Sequence, residues 1–336
     1  IVWQKKCSKC GSLNLKNNGN NRVGNHRLRC KDCGHCFVER RKRKQEKVLR
    51  KSNHFEDYIQ EGYSSRQLAD QKWIPEYRMR KDIQHRLDQS QITCIDEIFS
   101  DVHHIMIDGY WLPKMKDENG VIIKKILLLY YDYRHEKVIW FSIRDGERKE
   151  YICEDLQFLR YEMGYTNIIS CTSDGWIWIL SAIKAVYPEC ILQRCLVHIQ
   201  RQIKNYISWN PKSETGKNLL RIMEYGTLSD PDTFVQAFEN WKEKHFLFLI
   251  EKSISRKGEW IFTHANLRKS MRHIENALPY MFQSHTQKNP NIERSSNKLE
   301  WYFWVLAEEW IKEHKWLSSS RLSSFIALWI YLRNQK

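Results

Sequence analysis

The chain is predicted to be an α/β protein, a mixed core carrying a helical insertion and preceded in sequence by a cysteine-bearing ribbon and a short helical module. Three features predict this. Between residues 98 and 200, strand-length apolar runs alternate with stretches of helical period. From 204 to 290 the pattern is helical and polar, without strand alternation. Ahead of both, residues 1–40 hold two Cys-x-x-Cys pairs. At 336 residues the chain is long enough for two or three domains with real cores. The expected boundaries are 1–40 for the ribbon, 41–95 for a basic linker and helical module, and 98–336 for the core with its insertion.

Composition narrows the partners. A formal charge of +15 points to a polyanion, nucleic acid before a membrane surface. Fourteen Trp, 16 Tyr and 13 Phe are incompatible with a disordered chain. No apolar run approaches the roughly 20 residues of a spanning helix, so no membrane role is expected. No signal-peptide pattern is visible, and the chain begins with Ile1. Of ten cysteines, four form the two pairs and the rest are scattered, mostly among apolar residues. That is the pattern of a reducing compartment with one metal site, so a cytoplasmic location is expected.

The ribbon comes first. Cys7-x-x-Cys10-Gly11 and Cys30-x-x-Cys33-Gly34 are separated by 19 residues, the spacing of a four-cysteine structural zinc site. The stretch NNGNN at 17–21 is a plausible hairpin turn, and HRLRC a basic strand returning to the metal. Arg22, Arg27 and Arg29 on that hairpin are candidate DNA contacts. The run ERRKRKQEKVLRK at 39–51 has no core pattern and reads as a linker or phosphate-contacting arm. Next, GYSSRQLADQKWIPEYRMRKDIQHRL has the shape of a helix-turn-helix. Ser64 or Ser65 would cap the first helix, Leu68 and Ala69 would face inward, and Trp73-Ile74 would mark the turn. Arg78, Arg80 and Lys81 would then face DNA from the second helix. An ordinary basic helical hairpin packed on the core would share this pattern.

The core shows strands at 103–112, 121–132, 137–143 and 167–173, helices at 148–163 and 176–187, an extended piece at 190–194 and a helix from about 196. Two of these strands run straight into an Asp-Gly pair, at Asp108 and Asp174. A buried strand that delivers a carboxylate at its exit, followed by a glycine that lets the chain turn, places charge at the edge of a site. Ser295-Ser296-Asn297 then opens an apolar-periodic helical stretch at 297–332 whose first turn carries Glu300; Glu293 is the rival third acid. Three carboxylates can hold two Mg²⁺ or Mn²⁺ ions about 3.5–4 Å apart. The plainer reading makes the aspartates turn formers and Glu300 a first-turn helix glutamate favoured by the dipole. Arg194, Arg201 and Lys204 are candidate phosphate contacts or a solvated face.

The ordered set IDG, SDG, QRCLVH at 193–198, SSNKLE, and His314 fourteen residues beyond Glu300 resembles the DDE transposases of bacterial insertion sequences. Within these it is most similar to the Mutator-like group, several of which begin with a zinc ribbon and a helix-turn-helix. The resemblance spans nearly the whole chain. It implies a ribonuclease H-like catalytic core with Asp108, Asp174 and Glu300 as its catalytic, Mg²⁺- or Mn²⁺-binding triad. It also implies that Cys195 and His198 form the family's Cys-x-x-His signature. Two ligands one helical turn apart do not complete a metal site, so these two are read as bracing the active-site helix. The 125 residues between Asp174 and Glu300 would hold the insertion. Trp316 stands where relatives usually carry Gly, and Trp301 where a small residue is common. The implied protein is nucleoid-associated. It would bind terminal inverted repeats in double-stranded DNA, cleave and transfer strands, carry a structural zinc, and act as a homodimer or higher assembly at synapsis. A catalytically inactive DNA-binding derivative and a metal-dependent nuclease without strand transfer are the alternatives.

Overall fold

The computed structural model describes residues 6–20, 26–38, 54–90, 99, 101–116, 121–226, 230–289, 291–311 and 317–335. Arg22, the basic run at 39–51, His314 and Trp316 lie outside the described residues. The chain divides into two units, Ile1–Asp57 and Tyr58–Lys336.

The first unit holds a three-stranded antiparallel sheet of β1 (Leu15–Asn20), β2 (His26–Cys30) and β3 (Cys36–Val38), in that order. The asparagine-rich stretch, expected as a turn, is strand as far as Asn20. Gly19 takes φ +68° there, and the register with β2 shifts between Asn17 and Asn20. Such a bulge lets a polar strand continue where its composition suggests a stop.

The second unit opens with helical residues 58–60, then α1 (Ser65–Gln71) and α2 (Glu76–Gln89). Ser64 caps α1 in a reciprocal box. Its hydroxyl accepts the Gln67 N–H at 3.2 Å, and the Gln67 side chain accepts the Ser64 N–H at 2.8 Å. Exposed Trp73 turns the chain at φ +53°, and Ile74 donates back to the Ala69 carbonyl at 3.1 Å. Leu68 and Ala69 of α1 and Met79, Ile83 and Leu87 of α2 are buried.

The central sheet begins at β4 (His104–Trp111). A two-residue ladder of β5 (Met115–Lys116) with β6 (Ile122–Ile123) follows, then β7 (Ile126–Asp132) and β8 (Lys137–Arg144). The apolar run at 121–132 is thus divided at Lys124-Lys125, and only its second half enters the large sheet. β4, β7 and β8 make an antiparallel meander. After α3 (Lys149–Tyr161), β9 (Ser170–Ser173) joins β4 in parallel; after α4 (Ile177–Val186), β10 (Ile191–Arg194) joins β9 in parallel. The strand order is β10-β9-β4-β7-β8. β7 is buried along its whole length, as a middle strand covered on both faces must be.

The two faces bury different partners. Ile105 and Ile107 pack with Leu156 of α3 and Ile179 and Ile183 of α4 in one core. By strand alternation, Met106, Asp108 and Tyr110 point to the opposite face. There Tyr110 stacks on Phe303 at 5.7 Å and Tyr131 meets Tyr302 at 5.6 Å, both from the C-terminal helices.

Between β10 and those helices lies the insertion: α5 (Leu196–Ile207), α6 (Glu214–Gly226), α7 (Pro231–Lys244), α8 (Phe246–Ile250), a hairpin of β11 (Lys252–Ile254) and β12 (Trp260–Phe262), α9 (Ala265–Met281) and α10 (Gln283–Thr286). It has its own core, in which Ile199 and Ile203 pack with Met223, Phe234, Phe238 and Ile274. The apolar period at 297–332 resolves into two helical pieces. α11 (Asn297–Trp304) passes into a π-helical stretch at Val305–Ile311, and α12 (Ser319–Asn334) follows. Asn334 brackets the edge strand β8, accepting the Val138 N–H at 3.2 Å and donating to its carbonyl at 2.8 Å. Arg321 of α12 holds Asp88 of α2 through two bonds at 2.8 and 2.9 Å. Among the described residues, no helix is long and apolar enough to cross a membrane.

Candidate active site

Adjacent parallel strands deliver the two aspartates together. Ile107 of β4 is in register with Ser173 of β9, so Asp108 and Asp174 are the next residues along each strand. Asp108 accepts the Gly109 N–H at 2.8 Å, and Asp174 accepts the Trp176 N–H at 3.0 Å. Asp174 leaves β9 through a turn at Gly175. Asp108 instead lies inside β4, which runs on through Gly109 to Trp111 rather than ending at the Asp-Gly pair as its sequence suggests, because Gly109 keeps its place in the ladder opposite Leu128. A Cβ on Gly109 would meet Ile126 at 2.8 Å, and one on Gly175, which sits at φ +89°, would lie 1.9 Å from Arg194 Nε.

The segment returning from the insertion brings Glu300. Thr172 at the end of β9 donates to the Glu293 carbonyl at 2.7 Å, and Leu196 donates its N–H to the Arg294 carbonyl at 2.9 Å. Buried Ser296 then docks on the Cys-x-x-His pair. Its N–H donates to Cys195 Sγ at 3.2 Å, and its hydroxyl lies 3.3 Å from His198 Nδ1. Ser296 stands at the N-cap of α11 but makes no capping bond there, because its hydroxyl faces His198. One turn later the Glu300 carboxylate lies 3.4 Å from His198 Nε2 and is gripped by Arg201 at 3.1 and 3.0 Å. Glu293, the rival acid, lies beside Tyr133 instead and pushes its phenol up.

The electrostatics tie the acids into one neighbourhood. Burial, then the charge of Asp174 and more weakly that of Glu300, push Asp108 up to about 7 against the pull of His198 and the Gly109 N–H. Burial also raises Asp174, against the Trp176 N–H, His198 and Arg194. Burial works against a charge on His198, yet the Cys195 sulfur, Asp108 and Glu300 outweigh it and lift the imidazole to about 9. Crowded, partly dehydrated carboxylates of this kind suit a hard divalent cation. Their ligand atoms are not gathered into one set, however. Among the described residues only Cys7, Cys10, Cys30 and Cys33 have ligand atoms all within 4.8 Å of one another, and Glu300 is held by Arg201.

A fourth carboxylate was not singled out in the sequence. Glu147 projects over Gly109, its Oε1 3.4 Å from where a Cβ would stand, and burial followed by the Asp174 charge raises it to about 7. The signal was present: β8 also exits into an Asp-Gly pair, at Asp145. Asp145 itself turns outward to Lys125 at 3.4 Å, leaving the next acid to face the site. Arg194, His198, Gln202 and His273 line a cleft of about 320 Å³ with Asp174, and half-exposed Trp176 stands at its rim.

In the first unit the cysteine sulfurs are matched to a tetrahedral ion. Cys7 and Cys33 lie 3.7 Å apart and Cys10 and Cys30 3.6 Å, close to the roughly 3.8 Å edge of a tetrahedron with Zn–S bonds of about 2.3 Å. The Lys9 N–H points at Cys7 Sγ at 3.4 Å. Arg27 and Arg29 lie on β2, Arg29 exposed and Arg27 half-buried. On α2, Arg78, Arg80 and Lys81 are all exposed; Arg80 pairs with Glu76 at 2.7 Å, and Arg78 donates to the Tyr77 hydroxyl at 3.1 Å.

The family model described as Transposase, Mutator family matches residues 81–284, more than half of the chain. That span takes in Asp108, Asp174, Cys195 and His198 and stops short of Glu300. No curated protein matches the chain significantly.

Proposed function

The chain belongs to the Mutator family of transposases, and on that premise we propose that it cuts DNA at the ends of a mobile element and joins the freed strand to target DNA at Asp108, Asp174 and Glu300. The observation that carries this reading is the convergence of Asp108, inside β4, with Asp174, just past the end of the neighbouring β9, with the helix bearing Glu300 docked beside them. An antiparallel meander followed by two parallel strands, ordered β10-β9-β4-β7-β8, supports assigning the core to the ribonuclease H-like fold.

Asp108, Asp174 and Glu300 would hold Mg²⁺ or Mn²⁺, which when bound supplies Lewis-acid stabilisation of the attacking and leaving oxygens at phosphorus. The chain's own groups do the positioning. The Gly109 and Trp176 amides orient the two aspartates, His198 and Arg201 hold Glu300, and Glu147 adds negative charge that the cation would offset. The four cysteines would carry a structural zinc that organises the ribbon bearing Arg27 and Arg29. Helices α1 and α2 would form a helix-turn-helix that reads DNA with Arg78 and Lys81, Arg80 being tied to Glu76. Synapsis of two element ends calls for at least a dimer during reaction.

The test is incubation of the full chain with DNA from the element's ends and Mg²⁺ or Mn²⁺. Nicking at the end and a joined product are expected. Nicking without joining would favour a nuclease, and tight binding without nicking under either metal would leave only a DNA-binding protein.

A further inference from the structure

Three basic residues lie on β10 and α5, and their surroundings separate them. Arg201 is committed to Glu300. Lys204 pairs with Glu224 at 2.9 Å and lies 4.8 Å over the Trp209 ring. Arg194, at the end of β10, is 8 % exposed, and among the described residues no acidic side chain lies at ion-pair distance from it. Its guanidinium reaches the Asp174 carbonyl at 3.4 Å and His273 Nε2 at 3.5 Å, both long for hydrogen bonds, and its buried Nε has no acceptor. His273 brings no charge, since burial and then Arg194 hold its imidazole down to about 4. Asp174 acts on Arg194 only through space, with no ion pair between them, and a buried cation so placed is costly unless an anion completes it.

Space for that anion adjoins the guanidinium. Arg194 and His273 line both the 320 Å³ cleft at Asp174 and a neighbouring cavity of about 530 Å³ that runs to Asn276 and Tyr280. Gly175 belongs to both walls and leaves the room the guanidinium occupies. A planar guanidinium matches phosphate oxygens in a way a point charge does not.

We propose that Arg194, with His273 beside it, forms an anion subsite that takes a backbone phosphate of the DNA strand adjacent to the phosphate being cut. The proposal rests on the reading of Asp108, Asp174 and Glu300 as a DNA-cleaving site. Arg194 acts as a positioning residue: it fixes the register of the strand and leaves the chemistry to the carboxylates.

The experiment is a binding measurement with the full chain and Ca²⁺ in place of Mg²⁺, so that DNA is held but not cut. Fluorescence anisotropy over a salt series follows a labelled element-end duplex with the wild type, Arg194→Gln and Arg194→Lys. The same duplex carrying single methylphosphonate linkages scans the phosphates around the cut. The log–log salt slope should fall by about one in Arg194→Gln and hold in Arg194→Lys. At one linkage next to the cut, methylphosphonate should weaken the wild type about tenfold and leave Arg194→Gln unaffected. If Arg194→Gln does not fold, the same linkage decides by its smaller effect on Arg194→Lys than on the wild type. Equal slopes with no linkage that distinguishes the variants would overturn the subsite and leave the cleavage reading standing. Failure of the wild type to bind either this duplex or a random one would overturn both.

Discussion

Asp108 is the residue at which burial and charge meet most directly, and it makes the pH behaviour of the metal-free chain predictable. Its carboxyl rises from an ordinary 3.8 to about 7 in the folded state. A raised acid stabilises the fold through its bound proton, fully below about pH 4, and loses that contribution as the pH climbs through about 7. In chelator, Asp108→Asn should therefore melt above the wild type at about pH 8, with the gap narrowing toward about pH 4. Scanning fluorimetry would show it, and equal melting at every pH would contradict the crowding of charge at this site. Arg201 offers a second test, because it occupies the carboxylate a cation would need. Arg201→Gln should tighten Mn²⁺ binding about two- to fivefold, the range of a part-exposed ion pair. Electron spin resonance of free Mn²⁺ reads this directly, and unchanged or weaker binding would show that the pair does not compete. Asp108 and Asp174 stand out in the sequence because an apolar run leads into each Asp-Gly pair, although β4 continues to Trp111 and the same pair after β8 points Asp145 outward. Glu147 was not legible there, since Asp145 turns outward to Lys125, which reaches it from the link between β6 and β7. Which of the basic residues is left without an ion pair was equally hidden, because Arg201 finds Glu300 99 residues away.

At the scale of elements, the Cys-x-x-His turn works as a clamp between β9 and α11. Cys195 donates its N–H to the Ser173 carbonyl at 2.7 Å and accepts the Ser296 N–H on its sulfur, so one residue links the strand of Asp174 to the helix of Glu300. Cys195→Ala would leave that buried N–H without an acceptor, a loss of about 1–3 kcal/mol in chemical denaturation. An unchanged midpoint would mean the pair is not a brace. Capped, strongly periodic helices were readable in advance: Ser64, Leu68 and Ala69 stand in the roles their spacing suggested. The β11–β12 hairpin was not, since three-residue strands are too short to show alternation. Nor was the division at the C-terminus, where one continuous apolar period covers both α11 and α12 and the change to π-helical bonding at Val305 leaves no mark in composition.

Across the whole molecule, a chain of net charge +15 carries a site in which Asp108, Asp174 and Glu147 resist ionisation. On the proposed reading the basic residues would attract DNA at long range and the acids would repel phosphate until a cation offset them, so binding and cutting would be separable by metal. The alternation of strands and helices was legible along the chain, but the strand order was not, because pairing of β4 with β9 joins segments that no local pattern relates. The central claim is that Asp108, Asp174 and Glu300 act as one metal-dependent site on DNA. Its most direct test is a strand-transfer assay with Mg²⁺ on Asp108→Asn, Asp174→Asn and Glu300→Gln, with Glu293→Gln alongside. The first three should lose joined product by about a thousandfold or more while still binding element ends, and Glu293→Gln should keep it within about tenfold. Joined product that survives Asp174→Asn, or that vanishes in Glu293→Gln and persists in Glu300→Gln, would contradict the account.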